Sequence, residues 1–168
     1  MKHYQLLVLV SVVAAFGCAQ TKVYTPQVTP TRVELSGLPA SIVTVEINDL
    51  RAEKNHSDAL AAVLRSQVES ALTRSPAPEG ATRHRLVIDV VEHRSYFTSG
   101  TWNASTRLRA RLIRSDGSLR GQWEGSGSGR RSNMWGYHDA KAVSQDAYNN
   151  AVSDLLSALT AASIVGQD

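Results

Sequence analysis

This 168-residue chain contains one cysteine, Cys18. Its position in the sequence indicates the chemistry of its side chain more clearly than is the case for any other residue. Cys18 follows a short apolar run that begins after Lys2, and the small residues Ala15 and Gly17 precede it. A basic residue, a short apolar run and small residues before a cleavage point are typical of a signal peptide, and the run is too short to span a bilayer. We therefore expect residues 1–17 to be a signal peptide and the Cys18 thiol to accept a lipid.

The residues before the cysteine, Ala15-Phe16-Gly17-Cys18, resemble the bacterial lipobox, in which small residues let a peptidase approach the backbone. Two alternatives remain open, an ordinary secretory signal cleaved near Ala19 and a buried free thiol. Lipidation would anchor the chain firmly, since each buried methylene contributes about 0.8 kcal/mol. The residue after the cysteine is Ala19. An aspartate at this position would resemble a signal for retention in the inner membrane, so the alanine favours the periplasmic face of the outer membrane.

The composition indicates one domain and gives no sign of a nucleic-acid-binding protein. The formal net charge is only +3, and a chain without its signal peptide has about 150 residues, the size of a single domain. Three prolines interrupt any periodic pattern before residue 40. We expect the lipidated Cys18 and a flexible tether over residues 18–40, followed by a single periplasmic domain over residues 41–165.

Arginine and aromatic side chains are the candidates for binding a partner. Three of the arginines alternate along a predicted strand and would share one face, and two others precede a tryptophan and a tyrosine in a Gly/Ser-rich segment. The seven candidates are Arg107, Arg109, Arg111, Arg130, Arg131, Trp135 and Tyr137. Arginines beside exposed aromatics are typical of binding hot spots, so we expect contact with an envelope protein or an anionic envelope polymer. The alternatives are a solvated sheet face and aromatics that pack over the sheet.

Catalytic and metal sites have no specific support in the sequence. No two histidines of the mature chain have the spacing that places two imidazoles on one face of a helix or strand. Gly125, Gly127 and Gly129 do not match a dinucleotide or phosphate loop, and indicate either a mobile loop or a strand that another backbone approaches closely. No Gly-x-Ser-x-Gly motif occurs. We expect no enzyme activity, no cofactor and no metal.

Hydrophobic periodicity places these residues on predicted elements. The predicted strands cover residues 42–48, 85–96, 103–114 and 119–127, the predicted helices cover 57–73 and 139–164, and a flexible loop is expected over 125–137. The order strand, helix, three strands, helix indicates an α+β two-layer sandwich, in which two helices lie on one face of a four-stranded, mainly antiparallel sheet.

The segment Ser-Asp-Gly-Ser at residues 115–118 predicts a tight turn between the last two strands. A two-residue turn that pairs the two serines sets the register of the hairpin. It places Ala110 opposite Trp123 on the covered face, and Arg109 opposite Glu124 on the other face.

The lipobox, the tether, a first strand that ends in Asn48-Asp49-Leu50-Arg51 and the alanine-rich last helix together resemble the small outer-membrane lipoproteins of the YajG type. The resemblance covers about residues 39–164 and provides no catalytic residues, and Asp49 and Arg51 are expected to organise the turn after the strand. More distantly, the layout is similar to lipoproteins that activate penicillin-binding proteins and to auxiliary lipoproteins of lipid transport.

Two functions are compatible with this layout. We expect a non-enzymatic accessory or adaptor lipoprotein of the envelope, and the alternative is a carrier of lipid or another small ligand in the groove between helices and sheet. A closed core would favour the adaptor, and an open apolar cavity would favour the carrier.

Overall fold

The computed structural model describes residues 20–29, 42–52, 59–72, 83–133 and 139–165. Within these ranges an open, mainly antiparallel sheet of five strands carries two helices on one face. The predicted α+β class is confirmed, with one strand more than the four expected. The signal peptide, Cys18, Trp135 and Tyr137 lie outside the described residues.

The elements follow the chain in the predicted order, apart from the additional first strand. The strands are β1 (Gln20–Lys22), β2 (Ile42–Asp49), β3 (His84–Thr98), β4 (Thr101–Arg114) and β5 (Leu119–Ser132), and the helices are α1 (Leu60–Ala71) and α2 (Ala140–Val165). At the start of α2, Asp139 Oδ1 accepts a hydrogen bond from the Ala142 amide at 2.9 Å, which is the geometry of an N-cap.

Strand β3 lies at the centre of the sheet. Strand β4 pairs with it along its whole length and β5 pairs with the far side of β4, both antiparallel. On its other side β3 is shared, because β2 pairs parallel with residues 84–90 and β1 pairs antiparallel with residues 95–97. A bulge at Val91 switches the inward-facing positions of β3 from Leu86, Ile88 and Val90 to His93 and Ser95.

A closely packed apolar core lies between the helices and the sheet. Its larger cluster joins α1 and α2 to β2, β3 and β4, and its largest fully buried side chains include Leu64, Leu108, Tyr148 and Leu155. A smaller cluster near the β3–β4 turn packs Trp102 against the first two turns of α2. The helices therefore bury the face of the sheet on which the sequence predicted the core.

The β4–β5 hairpin has the predicted register but a different turn. Arg114 N donates to Ser118 O at 2.9 Å, so the loop contains three residues, and in it Gly117 has a φ of 84°. The pairing shifts by one residue between Leu112 and Ile113, which compensates for the additional residue in the loop. Ala110 therefore still lies opposite Trp123. The predicted two-residue turn is wrong because Asp116 keeps a negative φ, and only the residue that follows it is left-handed.

Strand β5 continues to Ser132, where the sequence predicted a flexible loop after residue 125. Gly125, Gly127 and Gly129 face α2 so closely that added side chains would meet its backbone. A Cβ on Gly125 would lie 2.5 Å from the Ala151 carbonyl oxygen, and one on Gly127 would overlap the Ala147 carbonyl. The loop prediction is wrong for residues 125–132, where the alternative of a strand with close backbone approach is confirmed, and residues 134–137 lie outside the described residues.

Residues 20–29, which we call the N-terminal strap, contact the domain, although the sequence assigned them to a flexible tether. Four of their carbonyl groups accept hydrogen bonds from side chains of β3, α1 and α2. The bonds are Ser95 Oγ to Lys22 O (3.0 Å), His93 Nε2 to Tyr24 O (2.8 Å), Gln145 Nε2 to Gln27 O (3.0 Å) and Gln67 Nε2 to Thr29 O (3.0 Å). The structure therefore corrects the tether prediction for residues 20–29. The sequence did not reveal these contacts, because the partners are distant in sequence and a three-residue polar strand has no periodic pattern.

Candidate functional site

The face of the sheet that turns away from the helices, which we call the open face, carries the first three predicted binding residues. Arg107, Arg109 and Arg111 alternate on β4 with the buried residues of the core, as the sequence predicted. Arg107 is exposed, and Arg109 and Arg111 are half-buried. No described helix covers this face of the described strands.

Acidic side chains on neighbouring strands compensate all three arginines. The pairs are Arg107 with Glu92 (3.6 Å), Arg109 with Glu124 (3.2 Å) and Arg111 with Asp89 (2.9 Å). Arg111 Nη2 contacts both oxygens of Asp89, a carboxylate that is only 2 % exposed and that also accepts a bond from Asn48. The arrangement corresponds to the solvated-face alternative, in which little net charge remains on β4 to attract an anionic polymer.

Glu92 connects two of the arginines of the open face. Its carboxylate accepts hydrogen bonds from Ser105 Oγ at 2.5 Å and Arg94 Nε at 2.9 Å. The bond from Ser105 is the main cause that lowers the pKa of Glu92 below its ordinary value. Partial burial opposes this effect, while the bond from Arg94 and the charges of Arg94 and Arg107 reinforce it. Glu92 therefore stays ionised and continues to bind the arginines at mildly acidic pH.

Arg130 and Arg131 point to opposite sides of β5, because adjacent residues of a strand alternate. Arg131 lies on the helix side and forms an ion pair with Asp146 of α2 at 2.7 Å. Arg130 pairs with Asn103 across the strands, is exposed on the open face and makes no ion pair with any described residue. The described structure therefore does not bring the two arginines together as one site, and Arg130 is the predicted residue that keeps its charge available.

Sequence reasoning missed a basic pocket at the end of the sheet next to the β4–β5 turn. This pocket has a volume of about 390 Å³ and is lined by Arg83, His84, Arg85 and Arg114. Arg120 Nη1 also donates to His84 Nε2 at 3.0 Å. The β3–β4 register, which pairs His84 with Arg114, brings these residues together from distant parts of the sequence. Only knowledge of that register could have identified the pocket.

A second pocket, of about 270 Å³, lies where β3 has no strand partner between the end of β2 and the start of β1. Arg51 lines it and binds Asp49 through Nε (2.9 Å) and Nη2 (2.7 Å), while its amide also donates to this carboxylate. The expected role of Asp49 and Arg51 in organising the turn after the strand is confirmed. The pocket opens to solvent beside Glu92 and Arg94, outside the apolar core.

Three buried polar side chains, Gln67, His93 and Ser95, lie beneath the strap and bond its carbonyl groups. His93 is 2 % exposed, and because a carbonyl oxygen only accepts, its Nε2 donates to the strap while Nδ1 contacts Thr106 Oγ1 at 2.9 Å. Tyr148 donates to Gln67 Oε1 at 2.7 Å, and burial raises the pKa of its phenol above the ordinary value. Since Gln67 in turn bonds the strap, this network joins the strap to both helices.

Two further properties concern the described residues alone. They contain no group of three or more histidine, cysteine or acidic side chains that could hold a metal ion. None of the described helices has both the length and the apolar character needed to cross a membrane.

No protein-family model matches the sequence, and no curated protein matches it significantly. The fold is similar to that of a Caulobacter crescentus protein described as a lipoprotein, with a TM-score of 0.48 and 18% identity over 80% of this chain and 96% of that chain. A Helicobacter pylori homolog of a neuraminyllactose-binding hemagglutinin gives 0.45 and 10% identity, covering 83% and 88%. Lipoprotein GNA1162 from Neisseria meningitidis gives 0.36 and 23%, covering 77% and 97%. Because all three TM-scores are below 0.5, these likenesses carry no argument about function.

Proposed function

We propose that this chain is a non-enzymatic, lipid-anchored module on the periplasmic face of the outer membrane, where it acts as an accessory or adaptor protein for an envelope partner. The sequence around Cys18 supports the anchor. The description of two similar structures as lipoproteins is compatible with the proposal, although their TM-scores are too low to support it. The resemblance to lipoproteins of the YajG type stays a prediction.

The closed core is the observation that carries the choice of an adaptor over a carrier. Leu60, Leu64, Leu155 and Leu159 are fully buried between the helices and the sheet, so the described core is filled by its own side chains. The two pockets described above lie at the margins of the sheet and are lined largely by arginine, histidine and glutamate. An apolar ligand would need a cavity of about 300–1,000 Å³ lined by apolar side chains.

The open face supplies the partner-binding surface in this proposal, and Arg130 supplies its available charge. An exposed cation without a partner gains more from an incoming carboxylate or phosphate than one that already has a counter-ion. Arg131 provides a matched control, because it is the adjacent residue of the same type and points to the other side of the strand.

The anchor is tested by labelling cells with a fatty-acid probe and separating their membranes. Wild-type protein should carry the label and fractionate with the outer membrane, and Cys18→Ser should lose both properties. Ala19→Ser, a conservative change beside the cysteine, should keep both. Equal labelling of Cys18→Ser would contradict the lipid anchor.

Partner binding is tested by crosslinking in the intact envelope. Arg130→Ser should reduce the yield of the crosslinked species, whereas Arg131→Ser should leave it close to the wild-type level. If the two variants lose crosslinking equally, the open face around Arg130 is not the binding surface.

A further inference from the structure

The predicted lipid site and the folded domain are separated by very little chain. Ala19 is the only residue between Cys18 and Gln20, the first residue of β1. Two residues of extended chain span at most about 7 Å, so the Cα atom of Cys18 lies within that distance of the start of β1. A lipid on Cys18 would therefore bring this point of the domain to the surface of the membrane.

Strand β1 determines which end of the sheet this is. Gln20 pairs with Phe97 and Lys22 with Ser95, so the chain that precedes Gln20 continues in the direction in which β3 runs. That direction leads to the β3–β4 turn at Ser99 and Gly100, both of which have positive φ. We call residues 97–102 the hairpin end.

The strap prevents the domain from moving away from its anchor. Its bonds to Ser95, His93, Gln145 and Gln67 extend from Lys22 to Thr29, and Gln27 N adds a bond to Gln145 Oε1 at 2.7 Å. His93, Ser95 and Gln67 are at most 2 % exposed, which limits the access of water to their three bonds, whereas the two bonds between Gln27 and Gln145 are exposed. The short connection therefore holds a rigid body and not the end of a flexible tether.

We propose that the protein lies with its hairpin end against the lipid head groups, with the strands directed away from the membrane. The inference depends on the proposed lipid anchor at Cys18 and adds the orientation and the contact surface. Strand β4 has 14 residues, and at about 3.3 Å per residue the opposite turn lies about 45 Å further from the membrane.

The charge of the hairpin end is compatible with this contact but does not determine the orientation. Basic side chains flank the hairpin end, with Lys22 on β1 and Lys141 in the first turn of α2. Each basic residue near an anionic lipid surface contributes about 1 kcal/mol. The opposite end is also basic, because Arg83 and Arg114 line its pocket, so charge alone allows either orientation. The position of β1 decides between them.

The orientation is tested with one fluorophore at either end of the lipidated protein in vesicles of phosphatidylethanolamine and phosphatidylglycerol. Cys18 carries the chain's natural thiol and is consumed by the lipid, so Thr98→Cys and Ser115→Cys each introduce a single reactive site. Both native side chains are exposed, one in the hairpin end and the other in the opposite turn. Nitroxide-labelled head groups should quench the probe at residue 98 at least several-fold more than the probe at residue 115.

A third protein lengthens the connection by ten Gly/Ser residues between Ala19 and Gln20. Quenching at residue 98 should then fall toward the value at residue 115, because the domain is free to rotate away. Equal quenching of the two probes without the insertion, or stronger quenching at residue 115, would overturn the orientation. Failure of the lipid anchor gives a different result, since the protein would then not remain with the vesicles after flotation.

Discussion

Asp89 and Glu124 show how two carboxylates on the same face of a sheet differ in importance. Each binds an arginine of β4, but Asp89 is 2 % exposed whereas the side chain of Glu124 is 54% exposed. Water can replace a lost arginine at Glu124. At Asp89 it reaches the carboxylate poorly, so removal of Arg111 leaves a buried charge with one bond from Asn48.

The same substitution at the two arginines should therefore have different effects on stability. We expect Arg111→Gln to lower the free energy of unfolding by about 2–3 kcal/mol, because a buried carboxylate loses its counter-ion. Arg109→Gln should cost less than about 1 kcal/mol, as exposed ion pairs do. Urea unfolding of both variants at neutral pH measures the difference. Equal losses would mean that the Arg111 pair is as well solvated as the Arg109 pair.

Single-residue patterns predicted part of the candidate site. The shared face of Arg107, Arg109 and Arg111 follows from alternation along a strand, which is a local property. Their acidic partners could not be identified in full, since Asp89 and Glu92 reach them through the register of β3 and β4. The separation of Arg130 from Arg131 was missed because their segment was predicted to be a loop. Side chains alternate between two faces in a strand but not in a loop.

At the scale of elements, β5 and α2 fit together through matched spacing. Successive glycines at residues 125, 127 and 129 are about 6.7 Å apart along a strand. The helix residues that face them, Ala151, Ala147 and Val143, recur every four residues, about 6 Å apart. The two repeats run in opposite directions along the chain, so each glycine admits one turn of the helix backbone.

A methyl group in the middle of this contact should separate the two elements. Gly127→Ala should lower the free energy of unfolding by about 1–3 kcal/mol or more, because its Cβ would overlap the Ala147 carbonyl and the backbone of a helix packed on the core cannot move easily. Ser128→Ala, on the exposed side of the same strand, should stay within about 0.5 kcal/mol of wild type. Thermal and urea unfolding provide the comparison. A neutral Gly127→Ala variant would show that α2 can shift without loss.

Sequence patterns predicted most of the elements, and the exceptions have physical causes. The core strands and both helices carry a periodic apolar pattern, so they were predicted within a few residues. The end of β5 consists largely of glycine and serine, because the backbone of α2 packs directly against it and leaves no room for larger side chains. A sequence of this composition is typical of a loop, so the strand was not predicted. Strand β1 is specified by partners on β3, which no local pattern of Gln20–Lys22 reveals.

At the scale of the whole molecule, the strap connects elements that are otherwise far apart in the sequence. It joins β3 to both helices, and its Tyr24 packs against the cluster around Trp102. Deleting it would leave the buried groups of His93, Ser95 and Gln67 without their strap partners.

We therefore expect the unlipidated chain that begins at Pro30 to be less stable than the one that begins at Gln20. The loss should be about 2–4 kcal/mol, the result of several unsatisfied polar groups that are partly rehydrated. Urea unfolding followed by tryptophan fluorescence measures it. Identical unfolding midpoints would show that the strap does not belong to the cooperative unit.

The direction of β1 also has a mechanical consequence for an anchored protein. If a partner pulled a domain held by the proposed lipid on Cys18 away from the membrane, the force would act along the axis of β1. The hydrogen bonds between β1 and β3 are perpendicular to that axis, as in any antiparallel pair. They are therefore loaded in shear and resist together, whereas a pull across the strand would open them one at a time. The three residues of β1, reinforced by Ser95 and His93, would thus form a junction that transmits tension from the proposed lipid to the centre of the sheet.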